Sequence, residues 1–221
     1  MNPLLDRIQA LRQRIQRACE ACGRNSDSVE LLPVSKRQPP LLIRHAAELG
    51  FRTFGENYVQ EGIGKAQEMP DLHFVLIGPL QRNKAKPALE HFQEIMTIDR
   101  PELALRLQQL SAELELARRV WVQVDLWGET TKWGGCPGSG IDALLRMLGG
   151  DPWLTLHGFM AIPPPGIPQA FLELAALRDT WQQKLGRSLR LSMGMSDDLE
   201  EAVAAGSDQV RIGTAFFGER A

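Results

Sequence analysis

Residues Leu191 to Arg220 read LSMGMSDDLEEAVAAGSDQVRIGTAFFGER, and this stretch decides the fold. A short apolar run ends in Ser-Met-Gly-Met-Ser. A helical pattern follows, with Leu199, Val203 and Ala204 at helical spacing, and Gly206 stops it. A second apolar run, Gln209 to Ile212, ends in Gly213-Thr214, where another helical pattern begins. The unit is strand–loop–helix–strand–loop. It sets two small-residue loops side by side at the carboxyl ends of adjacent parallel strands. Gly/Ser/Thr-rich loops that face a helix N-terminus are suited to holding a phosphate.

The same alternation extends back to the N-terminus. Residues 3 to 22 predict an amphipathic helix, with Leu4, Ile8, Leu11, Ile15 and Ala18 on one face. Asn2 caps it, Pro3 suits its first turn and Gly23 ends it. Strands are expected at 29–34, 51–54, 72–77, 94–98, 119–126, 154–162, 187–191 and 209–212. Helices lie between them, including one capped by Asp99 and one from Gln169 to Leu185 that stops at Gly186. Another, opened by Gly78-Pro79, is expected to contain Gln81, Asn83 and Lys84. Eight strands alternating with helices in 221 residues predict a single-domain α/β (β/α)₈ barrel over residues 1–221. An open doubly wound sheet fits less well, because no G-x-G-x-x-G opens the chain.

Composition narrows the function. The net charge is -2, which gives no electrostatic reason to expect nucleic acid or an anionic membrane as partner. No apolar run approaches the ~20 residues of a membrane helix. The N-terminus lacks the apolar core of a signal peptide, so the expected compartment is the cytoplasm. Three cysteines argue against a disulfide framework. Cys19 and Cys22 form C-x-x-C on the first helix and at its end, with no His nearby to complete a metal site.

Barrel active sites sit at the carboxyl ends of the strands. Those ends offer Lys36, Asn57, Tyr58, Gly78, Met160, Ser192, Gly194, Ser196, Arg211, Gly213 and Thr214. A lysine opposite phosphate-holding loops suggests a phosphorylated aldehyde, because lysine amines form Schiff bases with carbonyl compounds. Pattern alone leaves Lys36 open between that role and a surface lysine at a strand exit. Asp197 and Asp198 would repel a phosphate at the helix they begin. The Gly213-Thr214 end is therefore favoured, with Ser192 and Ser196 closing over the anion.

Five stretches together resemble one family: Pro33-Val34-Ser35-Lys36, Phe54 to Glu61, Ile77 to Lys84, Leu191 to Asp198, and Arg211 to Arg220. The chain is similar to the pyridoxal phosphate homeostasis proteins, a group related to the N-terminal barrel of alanine racemase. The resemblance implies a barrel of that type with pyridoxal phosphate as its cofactor, held by Lys36 through a Schiff base. It implies that Arg211 faces the pyridine nitrogen and that Asn57 lines the ring pocket. Ser192, Gly213 and Thr214 would hold the phosphate. The cofactor-binding set is completed by Met193 and Ser196, with no catalytic residue and no metal ligand. The implied role is that of a carrier or buffer, with apo-enzymes as recipients. A low-activity amino-acid racemase is the second reading, and a barrel enzyme that binds a sugar phosphate is the third. Racemisation needs a second base, which alanine racemases draw from an added domain across a dimer interface. Without that domain in this sequence, a monomer is expected. Two departures from the family pattern stand out. Phe74-Val75-Leu76 replaces a Trp-His-Phe run, and Thr131-Lys132-Trp133-Gly134 replaces a Ser-Lys-x-Gly loop.

Overall fold

The computed structural model describes residues 2–128 and 134–219. The first element is α1 (Pro3–Ala21), followed by β1 (Glu30–Pro33), α2 (Pro40–Glu48), β2 (Thr53–Glu56), α3 (Val59–Glu68) and β3 (His73–Leu76). Then come α4 (Ala85–His91), β4 (Glu94–Ile98), α5 (Pro101–Leu114), β5 (Arg118–Asp125) and the two-residue β6 (Cys136–Pro137). The chain continues through α6 (Ile141–Leu148), β7 (Leu154–Ala161), α7 (Gln169–Leu185), β8 (Arg190–Ser192), α8 (Leu199–Ala204), β9 (Gln209–Ile212) and α9 (Thr214–Phe217).

The strands run parallel in the order β1-β9-β8-β7-β5-β4-β3-β2, with β6 a short addition to β5. The two ends of that order meet at a single bridge, Val34 to Gly55, supported by the Ser35 N–H donating to the Gly55 carbonyl at 2.9 Å. The result is a nearly closed eight-stranded barrel with helices outside, the single-domain α/β barrel that the alternation predicts.

Alternation of side chains along each strand divides the apolar residues into two bodies. Leu32, Val75, Met96, Trp121 and Met160 fill the barrel. A larger shell packs the outer strand faces against the helices, with Phe54, Phe74, Leu107, Phe159 and Leu191 within it. Val75 stands where the family pattern has histidine. It is part of the inner apolar filling, so no polar group takes that place.

Several boundaries differ from the sequence reading, for physical reasons. The second strand runs from Thr53 to Glu56 rather than over 51–54. Phe51 instead packs edge-on against Phe216 outside the barrel, with ring centroids 4.9 Å apart. The strand continues into Glu56 because that carboxylate finds a lysine on α3. Asp99 does not cap α5. Pro101 opens the helix, and the residue before a proline is driven to extended geometry, so the N-cap position falls to Arg100 at φ -155° and ψ 150°. Asp99 pairs with the Arg100 guanidinium instead. Residues 82–84 form a single 3₁₀ turn before α4, which leaves Gln81 outside any helix. Asn2 caps α1 as expected, accepting from the Leu4 and Leu5 amides.

Candidate functional site

A cleft of about 370 Å³ opens at the carboxyl ends of the strands. The end of β1 supplies Val34 and Lys36, and the end of β2 supplies Asn57. Ile77 and Ile162, just past β3 and β7, form apolar walls. The loop after β8 gives Met195, Ser196 and Asp197, and β9 with its loop gives Arg211, Gly213 and Thr214. Of the sequence-predicted site residues, Lys36, Asn57, Ser196, Arg211, Gly213 and Thr214 therefore come together.

Ser192 and Met193, also expected at the site, are not among the residues that line the cleft. Ser192 points into the barrel and is fully buried. Its hydroxyl donates to Gln209 Oε1 at 2.8 Å and accepts from Arg211 Nη1 at 2.9 Å. Met193 points outward into the shell. Its N–H donates to the Gln209 carbonyl, and its own carbonyl accepts from the Ser207 hydroxyl.

Ser192 instead fixes Arg211. The guanidinium donates to the Ser192 carbonyl at 2.6 Å, to the Ser192 hydroxyl, and to the Ala161 carbonyl at 2.8 Å. Burial lowers its pKa to about 10, an effect that Asp198 opposes. That value is still well above neutrality, so the cleft wall carries a fixed positive charge.

Asn57 is buried, and its Oδ1 has no hydrogen-bond partner. A buried polar atom left unpaired is costly unless a ligand completes it. Gly78 keeps this corner tight, because a Cβ there would lie 2.0 Å from the Asn57 carbonyl oxygen. Across the cleft, Gly194 turns the 193–196 loop at φ +95°, and a Cβ would lie 2.5 Å from that of Ala202. Its carbonyl accepts from the Arg211 N–H at 3.0 Å. Asp198 turns away and accepts from the Met195 amide at 2.6 Å. Asp197 does line the cleft.

Sequence reasoning missed the braces behind these loops. Arg7 on α1 donates to the Phe216 and Phe217 carbonyls, both at 2.9 Å, and so holds the end of α9. Arg14, two turns on, donates to the Ser196 carbonyl at 2.9 Å and pairs with Glu200 at 2.7 Å. Arg24 donates to the Val203 carbonyl at the end of α8. The available signal was the repeat of arginine along the polar face of α1, which otherwise reads as a solvated surface.

Tyr58, Met160 and the Gln81–Lys84 stretch lie outside the cleft lining. Tyr58 is exposed and lies beneath the Arg37 guanidinium, 5.5 Å from its ring centroid. The expected departure at Thr131-Lys132-Trp133 and the end of the family stretch at Arg220 lie outside the described residues. Gly134 is described, and its carbonyl accepts from Gln123 Nε2 at 2.9 Å. Among the described residues no cluster of three or more His, Cys, Asp or Glu side chains is placed to hold a metal, and no helix is long and apolar enough to cross a membrane.

Comparison with known proteins follows the same lines. The model of the alanine racemase N-terminal domain matches residues 7–221. The pyridoxal phosphate homeostasis protein of Pseudomonas aeruginosa is 42% identical, over 100% of this chain and 97% of that protein. Its counterpart in Escherichia coli K12 is 40% identical, over 100% of this chain and 98% of that protein. The solved structure of PipY from Synechococcus elongatus with pyridoxal phosphate bound superposes with a TM-score of 0.81. It is 36% identical and covers 93% of this chain and 100% of its own. An alanine racemase of Clostridium difficile, 12% identical with a TM-score of 0.76, shares the fold over 100% of this chain and 57% of its own.

Proposed function

The chain belongs to the family of pyridoxal phosphate homeostasis proteins, and from that premise we propose that it binds pyridoxal phosphate reversibly through Lys36 and stores it rather than using it. When bound, pyridoxal phosphate supplies an aldehyde that condenses with a lysine amine, releasing water, and a ring that withdraws electrons from the adduct. The residues of the cleft fit a small molecule with an aldehyde at one end and a dianion at the other. Lys36 supplies the amine. Ser196, Gly213 and Thr214 form the wall suited to the phosphate, and the unpartnered Asn57 Oδ1 offers an acceptor to the ring substituents. Ile77 and Ile162 give the ring apolar faces.

Arg211 bears on which chemistry the site could support. A pyridine nitrogen set against a cation, fixed by three hydrogen bonds, stays unprotonated and is a weak electron sink. Arg211 therefore disfavours demanding carbanion chemistry and leaves weak racemisation as the alternative. This reading has the protein act as a cytoplasmic monomer that delivers the cofactor to apo-enzymes. The names of its bacterial relatives support the homeostatic role.

The test loads the protein with pyridoxal phosphate and records its visible absorbance. L-amino acids are then added in deuterated water, and the α-proton is followed by NMR. Lys36→Ala is expected to lose the visible band with its far-ultraviolet circular dichroism intact. An unchanged band in that variant removes the Schiff-base assignment. The wild type is expected to show the band without α-proton exchange, whereas exchange that requires Lys36 makes the protein a racemase.

A further inference from the structure

Behind the Lys36 turn lies a buried charged cluster that neither the cleft lining nor the family resemblance explains. Lys65 on α3 is buried, and its ammonium donates to three acceptors: Glu56 Oε1 at 2.6 Å, Glu61 Oε1 at 2.7 Å and the Ser35 carbonyl at 2.6 Å. Three donors are all that an ammonium has, so this group is saturated. Glu56 is fully buried and also accepts from the Ser35 hydroxyl at 2.6 Å. Glu61 Oε1 accepts from the Arg37 backbone N–H. The residue on either side of Lys36 is therefore tied to one ionic centre.

The turn itself is strained. Arg37 adopts φ +57°, which a residue with a Cβ adopts only at a cost. Its side chain is held over Tyr58, while its N–H is held by Glu61. Burying an ammonium between two carboxylates is an expensive way to stabilise a barrel, since apolar residues of similar size often serve as well. Such clusters are better suited to fixing one geometry. Here that geometry is the one in which β1 ends and the Lys36 side chain enters the cleft.

We infer that Lys65, with Glu56 and Glu61, is a positioning centre that holds the 35–37 turn so that the Lys36 amine is presented to an aldehyde in the cleft. The inference rests on the Schiff-base reading above. It adds a prediction that the reading does not make: the cluster acts on the bond to the aldehyde and leaves phosphate and ring recognition alone. None of its side chains lines the cleft.

The experiment uses Glu61→Ala and Lys65→Met. Glu61 is partly exposed, so its variant retains the buried Lys65–Glu56 pair and decides the question if Lys65→Met does not fold. Amide hydrogen exchange of residues 34–38 is measured without cofactor. Affinity is measured for pyridoxal phosphate and for deoxypyridoxine phosphate, which has the same ring and phosphate but no aldehyde. If the turn holds its geometry one time in ten, apparent affinity for the aldehyde falls about tenfold. Exchange of the 34–38 amides, which follows the open fraction, rises by at least as large a factor, and deoxypyridoxine phosphate binds within about twofold of wild type. Unchanged exchange and unchanged pyridoxal phosphate affinity in folded Glu61→Ala overturn the inference. Equal weakening of both ligands also overturns it, because the cluster would then support the whole cleft. Lys36→Ala, run in parallel, separates the two claims: a visible band that survives there removes the Schiff-base reading and leaves the exchange result to judge the turn.

Discussion

Replacing Arg7 with methionine tests whether α1 secures the Gly213-Thr214 wall of the cleft. Methionine keeps most of the aliphatic stem and removes the guanidinium. Two hydrogen bonds are lost, to the Phe216 and Phe217 carbonyls, each 2.9 Å long. Bonds from a charged donor contribute roughly 1.5–3 kcal/mol each, a gross loss of about 3–6 kcal/mol. Arg7 is only half-buried, so water reaches part of the vacated space and rehydrates the carbonyls. The expected net loss is about 2–3 kcal/mol. For a chain of this size each kcal/mol moves the melting temperature by about 2–4 °C, so a fall of about 4–12 °C is expected. Thermal melting and urea unfolding measure it, with exposed Gln9→Met as the matched control, expected within ~0.5 kcal/mol of wild type. Thr214 is the first residue of the helix that Arg7 holds, so affinity for pyridoxal phosphate falls with stability. A loss below ~0.5 kcal/mol would refute the brace, and unchanged affinity would detach it from the site.

Glu200→Gln gives a pH-dependent difference. The Arg14 guanidinium, by its hydrogen bond, holds the Glu200 carboxyl below the ordinary range, so the native state binds fewer protons than the unfolded chain. The pair's stabilisation is therefore present above the ordinary carboxylate pKa and disappears as pH falls through the depressed value. The pair is a third to a half exposed, so the expected difference at neutral pH is only about 0.2–1 kcal/mol, closing in acid, and urea unfolding across pH reads it. A difference that does not change with pH would assign the effect to something other than the ion pair. Gly194→Ala adds a Cβ 2.5 Å from that of Ala202 at φ +95°, with an expected cost of about 2–4 kcal/mol and weaker cofactor binding. A melting temperature within about 1 °C of wild type would contradict the close packing. Burial, with Asp99 adding to it, pushes the Cys136 thiol up to about 11, so at pH 8 only exposed Cys22 should react quickly with a disulfide reagent. Rapid labelling of Cys136 in the folded protein, read by mass spectrometry, would count against its burial.

The barrel was legible because each strand is a compact apolar run closed by glycine or a polar residue, and α7 could be bounded to the residue by Gly186 at φ +62°. Lys36, Asn57 and Thr214 were legible because strand ends are where such folds work. That Ser192 is bonded to Gln209 and Arg211, while Met193 packs in the outer shell, was not legible, because nothing local sets which face of a short strand each residue takes. The Glu56–Lys65 pair was hidden by its spacing, since nine residues across a strand and a helix match no local period. Arg7 and Arg14 were hidden by distance, because Arg7 meets a carbonyl 209 positions away. The strand at Cys136–Pro137, two residues between glycines, is too short to register as a pattern.

That separation along the chain bears on biosynthesis. β1 takes its hydrogen bonds from β9, and the cleft combines residues 34–57 with residues 195–214. During translation the early strands emerge with an open edge that no later strand covers until Gln209–Ile212 has been made. Long-range closure of this kind folds slowly and leaves partly made chains prone to association. It also means that a nascent chain has no cofactor site to fill. A ligand of the cleft would therefore stabilise only chains in which both ends have been made and joined.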